Sequence, residues 1–244
     1  MSRTQDVVED VQRLILDGGL RPGDRLPAEK ELAAELGVSR GSLREGVRAL
    51  VVLGILEARH GDGTYVTDLD PASLLAPVAF LADLPGDHSP LHAVRATLET
   101  EAAGLAALHM TDAHVARARA SLDDMARALV TARPDPARMA AADLAFHRAV
   151  ADGSGNAVLS ALLDALAGEH ARRRIWDDLH ELAAARTFEQ HDAVLAAITS
   201  RDPDRARLRM AMHMVAVEDL LATTSTDGPS PRRRNGLPEP APTR

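Results

Sequence analysis

Glycine interrupts the start of this chain at intervals that leave few folds open to it. Val7, Val8, Val11, Leu14 and Ile15 recur at helical spacing, which predicts a first helix over 4–17 ended by Gly18-Gly19. Leu20-Arg21-Pro22-Gly23-Asp24 reads as a turn. Leu32, Ala33 and Leu36 then mark a short helix over 28–36, stopped by Gly37. Ser39 is placed to cap a third helix over 40–53, and Gly54 ends it. Two strands follow, over 55–59 and 64–67. They are joined by His60-Gly61-Asp62-Gly63, a hairpin loop with two glycines for positive φ. Helix, helix, turn, helix, hairpin is the order of a winged helix-turn-helix domain.

Beyond a linker at 68–71 the strand signal stops. Aromatic residues make up only 2% of the 244 while Ala and Leu are abundant, a balance that favours helices. Helices are predicted over 72–83, 90–109, 112–131, 136–152, 156–176, 179–200 and 203–221. Pro85-Gly86, Thr111, Pro134-Asp135-Pro136, Gly153-Ser154-Gly155 and Asp202-Pro203 supply the breaks. The expected fold class is mainly α. A winged helix-turn-helix domain over 1–68 (three helices plus a β-hairpin wing) precedes an all-α antiparallel helical bundle over 72–222. Residues 223–244, rich in Pro, Ser, Thr and Arg, are expected to form a disordered tail. Its Arg232-Arg233-Arg234 either touches phosphate or is simply solvated.

Charge narrows the function. With 28 Lys and Arg against 36 Asp and Glu, the formal net charge is −8, so any nucleic-acid surface must be local. Arg40, Arg44 and Arg48 stand at i, i+4, i+8, which puts three guanidiniums on one stripe of the third helix. Leu43, Val47 and Leu50 occupy another face and can pack inward. A helix anchored on one side and cationic on the other suits the major groove of double-stranded DNA, with Ser39 and Ser42 at its start positioned for phosphate. The alternative is a solvated charged face shared with Glu45. The absence of cysteine excludes disulfides and thiolate metal sites. No stretch reaches the ~18 apolar residues of a membrane span, and residues 1–9 lack a signal-peptide core, so a soluble cytoplasmic protein with no membrane partner is expected.

The motifs around that stripe are longer than the stripe itself. They run Leu26-Pro27-Ala28-Glu29-Lys30-Glu31-Leu32-Ala33, then Leu36-Gly37-Val38-Ser39-Arg40, then Leu43-Arg44-Glu45, and end in Gly61-Asp62-Gly63-Thr64-Tyr65-Val66. Over about residues 4–67 the chain thereby resembles the GntR family of transcriptional regulators. The resemblance implies that Lys30, Ser39, Arg40, Ser42 and Arg44 face DNA, with His60 and Gly61 as the wing tip at the minor groove. Gly41 departs from the pattern, because many members carry Thr there. A glycine makes no such side-chain contact, which implies an altered operator preference.

The helical part carries polar residues where apolar ones belong. Asp143 and His147 share the predicted inward face of Met139, Phe146 and Val150. His191 shares that of Phe188, Leu195 and Ile198, and His213 that of Met210, Val217 and Leu221. A buried carboxylate without a partner costs several kcal/mol, roughly, and one divalent ion would compensate all four groups. Asp143 and His147 at i, i+4 can hold an ion from one helix, and three imidazoles with one carboxylate suit zinc first, with nickel, iron or manganese as alternatives. The other reading is that each histidine is a satisfied core residue.

An all-helical domain behind such a head resembles the FCD domain of the FadR subfamily, over roughly residues 72–221. Asp143-Leu144-Ala145-Phe146-His147, Gln190-His191-Asp192 and Met212-His213-Met214 match its metal-binding members in order. The resemblance implies a small organic acid effector over the metal. Arg95 is then either the effector clamp or the i, i+4 partner of Glu99, and Asn156 either touches the effector or caps its helix. The reading reached is a metabolite-responsive regulator acting as a homodimer on operator DNA. Two alternatives stand beside it: a metal-dependent enzyme fused to a DNA-binding head, and a regulator whose metal is purely structural.

Overall fold

The computed structural model describes residues 3–84, 89–130, 135–167, 176 and 181–226. In chain order its elements are α1 (Arg3–Leu16), α2 (Glu29–Glu35), α3 (Arg40–Val52), β1 (Leu56–Arg59), β2 (Gly63–Val66), α4 (Pro71–Leu74), α5 (Ala76–Asp83), α6 (Ser89–His109), α7 (Asp112–Leu129), α8 (Pro136–Gly153), α9 (Ala157–Ala165), α10 (Glu181–Thr199) and α11 (Pro203–Thr226). Contacts divide the chain into two compact units. One comprises Met1–Leu84 with Gly155–Gly168, the other Pro85–Ser154 with Glu169–Arg244.

The first unit contains the winged helix-turn-helix that the glycine spacing predicts. Ser39 caps α3, its Oγ accepting from the Ser42 amide at 3.1 Å. Gly37 and Gly54 follow α2 and α3 at φ of +66° and +73°, a region that excludes most side chains, and so the two helices stop there. β1 and β2 pair antiparallel, with Leu56 opposite Val66 and Arg59 opposite Gly63. The segment ahead of α2 adds a further rung to this hairpin. The Leu26 amide donates to Thr64 O at 2.8 Å, and the Val66 amide donates to Asp24 O at 2.9 Å. Val7, Val11, Leu32, Leu43, Leu50 and Leu56 fill the core beneath, with at most 1% of their surface exposed.

The helix expected over 72–83 is two helices, α4 and α5. Pro77 stands in the first turn of α5, and a proline deeper in a continuous helix would remove a hydrogen bond and clash with the carbonyl four residues back. α9 packs on α4 and α5. A Cβ on Gly54 would fall 3.6 Å from Ser73 O, so α4 lies against the end of α3. The first unit therefore runs past the linker expected at 68–71 and includes a segment from the middle of the chain.

The second unit is a helical assembly in which α7 packs chiefly on α8, and α6 chiefly on α11, with α10 against α11, α7 and α6. Ala102, Ala103, Ala106 and Ala107 are buried along α6, and small side chains there let neighbouring helices approach closely. Phe146, Met110, Met125, Met139, Leu195 and Met210 fill the interior. α9 closes at Ala165, well short of the helix predicted to 176, and residues 168–175 lie outside the described ones. α11 continues to Thr226, so the first residues of the expected tail are helical. The rest of that tail, with Arg232-Arg233-Arg234, lies outside the described residues, as do Pro85, Gly86 and Pro134.

Candidate DNA-reading face and metal centre

α3 presents two unlike faces. Leu43, Gly46 and Leu50 are buried, while Arg40, Arg44 and Arg48 are exposed on the other side, as their spacing predicts. The spacing does not disclose that two of these guanidiniums already hold carboxylates. Arg44 Nε lies 3.1 and 2.9 Å from the two Glu29 oxygens, and its Nη2 lies 2.9 Å from Oε2. This fork joins α3 to the start of α2. The hydrogen bond from Arg44 holds the Glu29 carboxyl below its ordinary range. Arg48 pairs with Glu45 at 2.8 Å. Both pairs are exposed, and exposed pairs of this kind are weak enough to exchange for phosphate or a base edge. Lys30 is exposed one residue after Glu29, and Ser42 Oγ lies 2.9 Å from Ser39 Oγ.

The wing carries its own supports. His60 and Gly61 are exposed at its tip. Tyr65 donates its hydroxyl hydrogen to Asp62 Oδ2 at 2.8 Å, and the Arg59 guanidinium lies 4.1 Å from the centre of the Tyr65 ring. Arg59 also pairs with Glu57. Arg25 reaches across the hairpin, so that a Cβ on Gly63 would fall 2.5 Å from its Nε. None of Arg25, Arg59 and Asp62 follows from the helix-turn-helix pattern.

In the second unit the four predicted donors meet. Asp143 and His147 stand one turn apart on α8, His191 on α10 and His213 on α11. All four are buried, His191 completely, and their ligand atoms lie within 4.8 Å of one another. His191 Nε2 is 3.2 Å from His213 Nε2 and 3.5 Å from Asp143 Oδ1, and His147 Nε2 is 3.8 Å from that same oxygen. Phe146 stacks on the His191 ring at 4.3 Å and fixes its plane. Two imidazole nitrogens facing each other beside a buried carboxylate require a proton or a cation among them. Donors bound to one ion at about 2.0–2.2 Å lie about 3.0–3.5 Å apart, close to the spacings here. The residues present fit a divalent metal.

A second ring of contacts orients the first. His213 Nδ1 lies 3.0 Å from Gln190 Oε1. His147 Nδ1 lies 3.0 Å from Glu99 Oε2, an ion-pair distance without full hydrogen-bond alignment. The Gln190 acceptor at His213 Nδ1, and the negative charge of Glu99 beside His147 Nδ1, favour a proton on Nδ1 and leave the Nε2 lone pair to the cluster. The other Glu99 oxygen meets Arg95 Nη2 at 3.0 Å. Of the two readings of Arg95, the structure contains the ion pair. One turn earlier on α6, His92 Nε2 lies 2.9 Å from Met214 O, and burial pushes its pKa down. Asn156 caps α9 by accepting from the Leu159 amide at 3.1 Å and falls in the other unit. Gln190 and the contact of Glu99 with His147 carry roles that sequence spacing does not assign, although Gln190 adjoins a predicted ligand and Glu99 stands one turn from Arg95.

Comparison with known proteins agrees over both units. Residues 3–66 match the family described as bacterial regulatory proteins, gntR family, and residues 91–216 match the FCD domain. The chain is 32% identical over 215 residues to the HTH-type transcriptional regulator LutR of Bacillus subtilis, covering 86% of this chain and 96% of that one. It is 31% identical over 246 residues to the putative L-lactate dehydrogenase operon regulatory protein of Escherichia coli, covering 96% and 92%. Among solved structures it is similar to Streptococcus agalactiae GntR, with a TM-score of 0.62 and 28% identity over 88% of this chain and 99% of that one.

Proposed function

The chain belongs to the gntR family of bacterial regulatory proteins and carries an FCD domain, and from that premise we propose that it reads operator DNA under the control of a small carboxylate bound together with a divalent metal ion. It is a transcriptional regulator and not an enzyme. The observation that carries the finer reading is the buried meeting of Asp143, His147, His191 and His213. These four residues would hold the ion, zinc first among the candidates. When bound, the ion supplies positive charge that offsets Asp143 and attracts an anionic effector.

Arg95 lies on α6 beside this cluster, linked to it through Glu99, and its guanidinium suits the carboxylate of an organic acid. The amide oxygen of Asn156 is engaged in its cap, and the proposed effector site does not include it. In the head, Lys30, Ser39, Arg40, Ser42, Arg44 and Arg48 form the face offered to the major groove, with His60 and Gly61 offered to the minor groove. Two such heads on a homodimer would address a pseudo-palindromic operator in the cytoplasm. Effector and DNA would then be linked by a coupling free energy of typically about 1–3 kcal/mol.

The test is a gel-shift titration on the cognate promoter with metal-loaded and chelator-stripped protein, each with a panel of small carboxylates. L-lactate belongs in that panel because an Escherichia coli relative is named for an L-lactate dehydrogenase operon. A carboxylate that shifts operator affinity only in loaded protein supports the reading. An equal response after stripping assigns the metal a structural role, and no response to any acid overturns the effector class.

A further inference from the structure

Glu99 is 2% exposed and uses its two oxygens on opposite partners, one toward the Arg95 guanidinium and one toward His147 Nδ1, each at 3.0 Å. On the reading that the four donors hold a divalent ion, we propose that Glu99 is a positioning residue for that ion and Arg95 its restraining counter-charge, so that an anion drawing Arg95 away from Glu99 tightens metal binding. A carboxylate beside Nδ1 favours the proton there, which leaves Nε2 free to coordinate, and makes that nitrogen a stronger donor to a metal. The positive guanidinium on the far oxygen opposes this pull.

Formal charges around the cluster lead to the same sign. Among the described residues in this run of contacts, Asp143 and Glu99 are negative and Arg95 is positive, which leaves one net negative charge beside a dication. Neutralising Arg95 with an anionic ligand raises that to two. By reciprocity the ion must raise affinity for the anion to the same degree. Arg95, with 13% of its side chain exposed, can exchange partners; Glu99, behind it, cannot reach solvent. The three residues Arg95, Glu99 and His147 thus form a charge relay between a partly exposed cation and a proposed metal ligand, built on α6 and α8.

The relay makes a signed prediction that a purely structural ion pair does not. Zn(II) affinity of the full-length protein is measured by competition with a chromophoric chelator, beside thermal melts of the stripped proteins. Glu99→Gln should weaken Zn(II) binding about 10- to 100-fold. Arg95→Met should strengthen it by about tenfold, and that gain should vanish in the double variant. Two-bond nitrogen–proton NMR correlations should show His147 as the Nδ1–H tautomer in stripped wild type and a mixture in Glu99→Leu. Weakening by both single variants, or no change in either, overturns the relay while leaving the metal site standing. Should Glu99→Gln not fold, Arg95→Met decides alone: weaker Zn(II) binding overturns the proposal. Wild type that binds no Zn(II), or Asp143→Asn that binds it as tightly, overturns the metal reading itself.

Discussion

Gly46 of α3 lies directly beneath Val7 of α1: a Cβ at position 46 would fall 2.4 Å from Val7 Cγ1 and 2.7 Å from its Cβ. The glycine is a groove into which the first helix settles, and both contact atoms belong to a stiff β-branched side chain. Gly46→Ala should therefore destabilise the head by about 1–3 kcal/mol, the usual cost of overpacking. A chemical melt of the variant checks this. Gly41→Ala, where the nearest contact of an added Cβ is Ser39 Oγ at 3.7 Å, should be neutral or mildly stabilising in the same melt.

The Arg44–Glu29 fork separates two roles of one guanidinium. Arg44→Ala should weaken binding to the cognate operator about 5- to 150-fold if Arg44 makes a bidentate base contact. Glu29→Gln removes a negative charge from the face proposed to meet DNA and should strengthen binding to unrelated duplexes. Gel-shift titrations on operator and random duplexes read both. An Arg44→Ala protein that binds operator like wild type removes Arg44 from the recognition set.

Asp143→Ala with His147→Ala takes both α8 donors from the cluster. Elemental analysis of the purified double variant should find the metal lost. Its melting temperature should no longer respond to added Zn(II), whereas wild type should rise as the logarithm of free metal.

Burial pushes the His92 pKa below 6.5, and the Met214 carbonyl, Arg95, Glu218 and Glu99 modify it by smaller amounts. A histidine whose folded pKa is lowered binds its proton more readily in the unfolded chain. Its contribution to stability is full above about pH 6.5 and is lost as pH falls from there through the folded value. His92→Gln should flatten this part of the melting-temperature profile between pH 6.5 and 5. A variant profile parallel to that of wild type would remove His92 as the source.

What was legible in the sequence is what periodicity and punctuation encode. The exposed arginine stripe, the Ser39 cap and the inward faces holding Asp143, His147, His191 and His213 all follow from residue spacing within single helices. Contacts between elements do not. Glu29 reaches Arg44 across 15 positions, Glu99 meets His147 from another helix, and α9 packs with α4 and α5, which lie far from it in sequence. The break at Pro77 was written in the chain but masked by a continuous apolar run on both sides.

Consider finally the hairpin, with Arg25 lying across it, Arg59 on the face of Tyr65, and the Tyr65 hydroxyl tied to Asp62. A loop held from three directions has little conformational freedom left to surrender on contact. Under the minor-groove docking proposed above, such a wing would act as a fixed gauge, and base steps that the protein never touches would alter affinity through the groove width they impose.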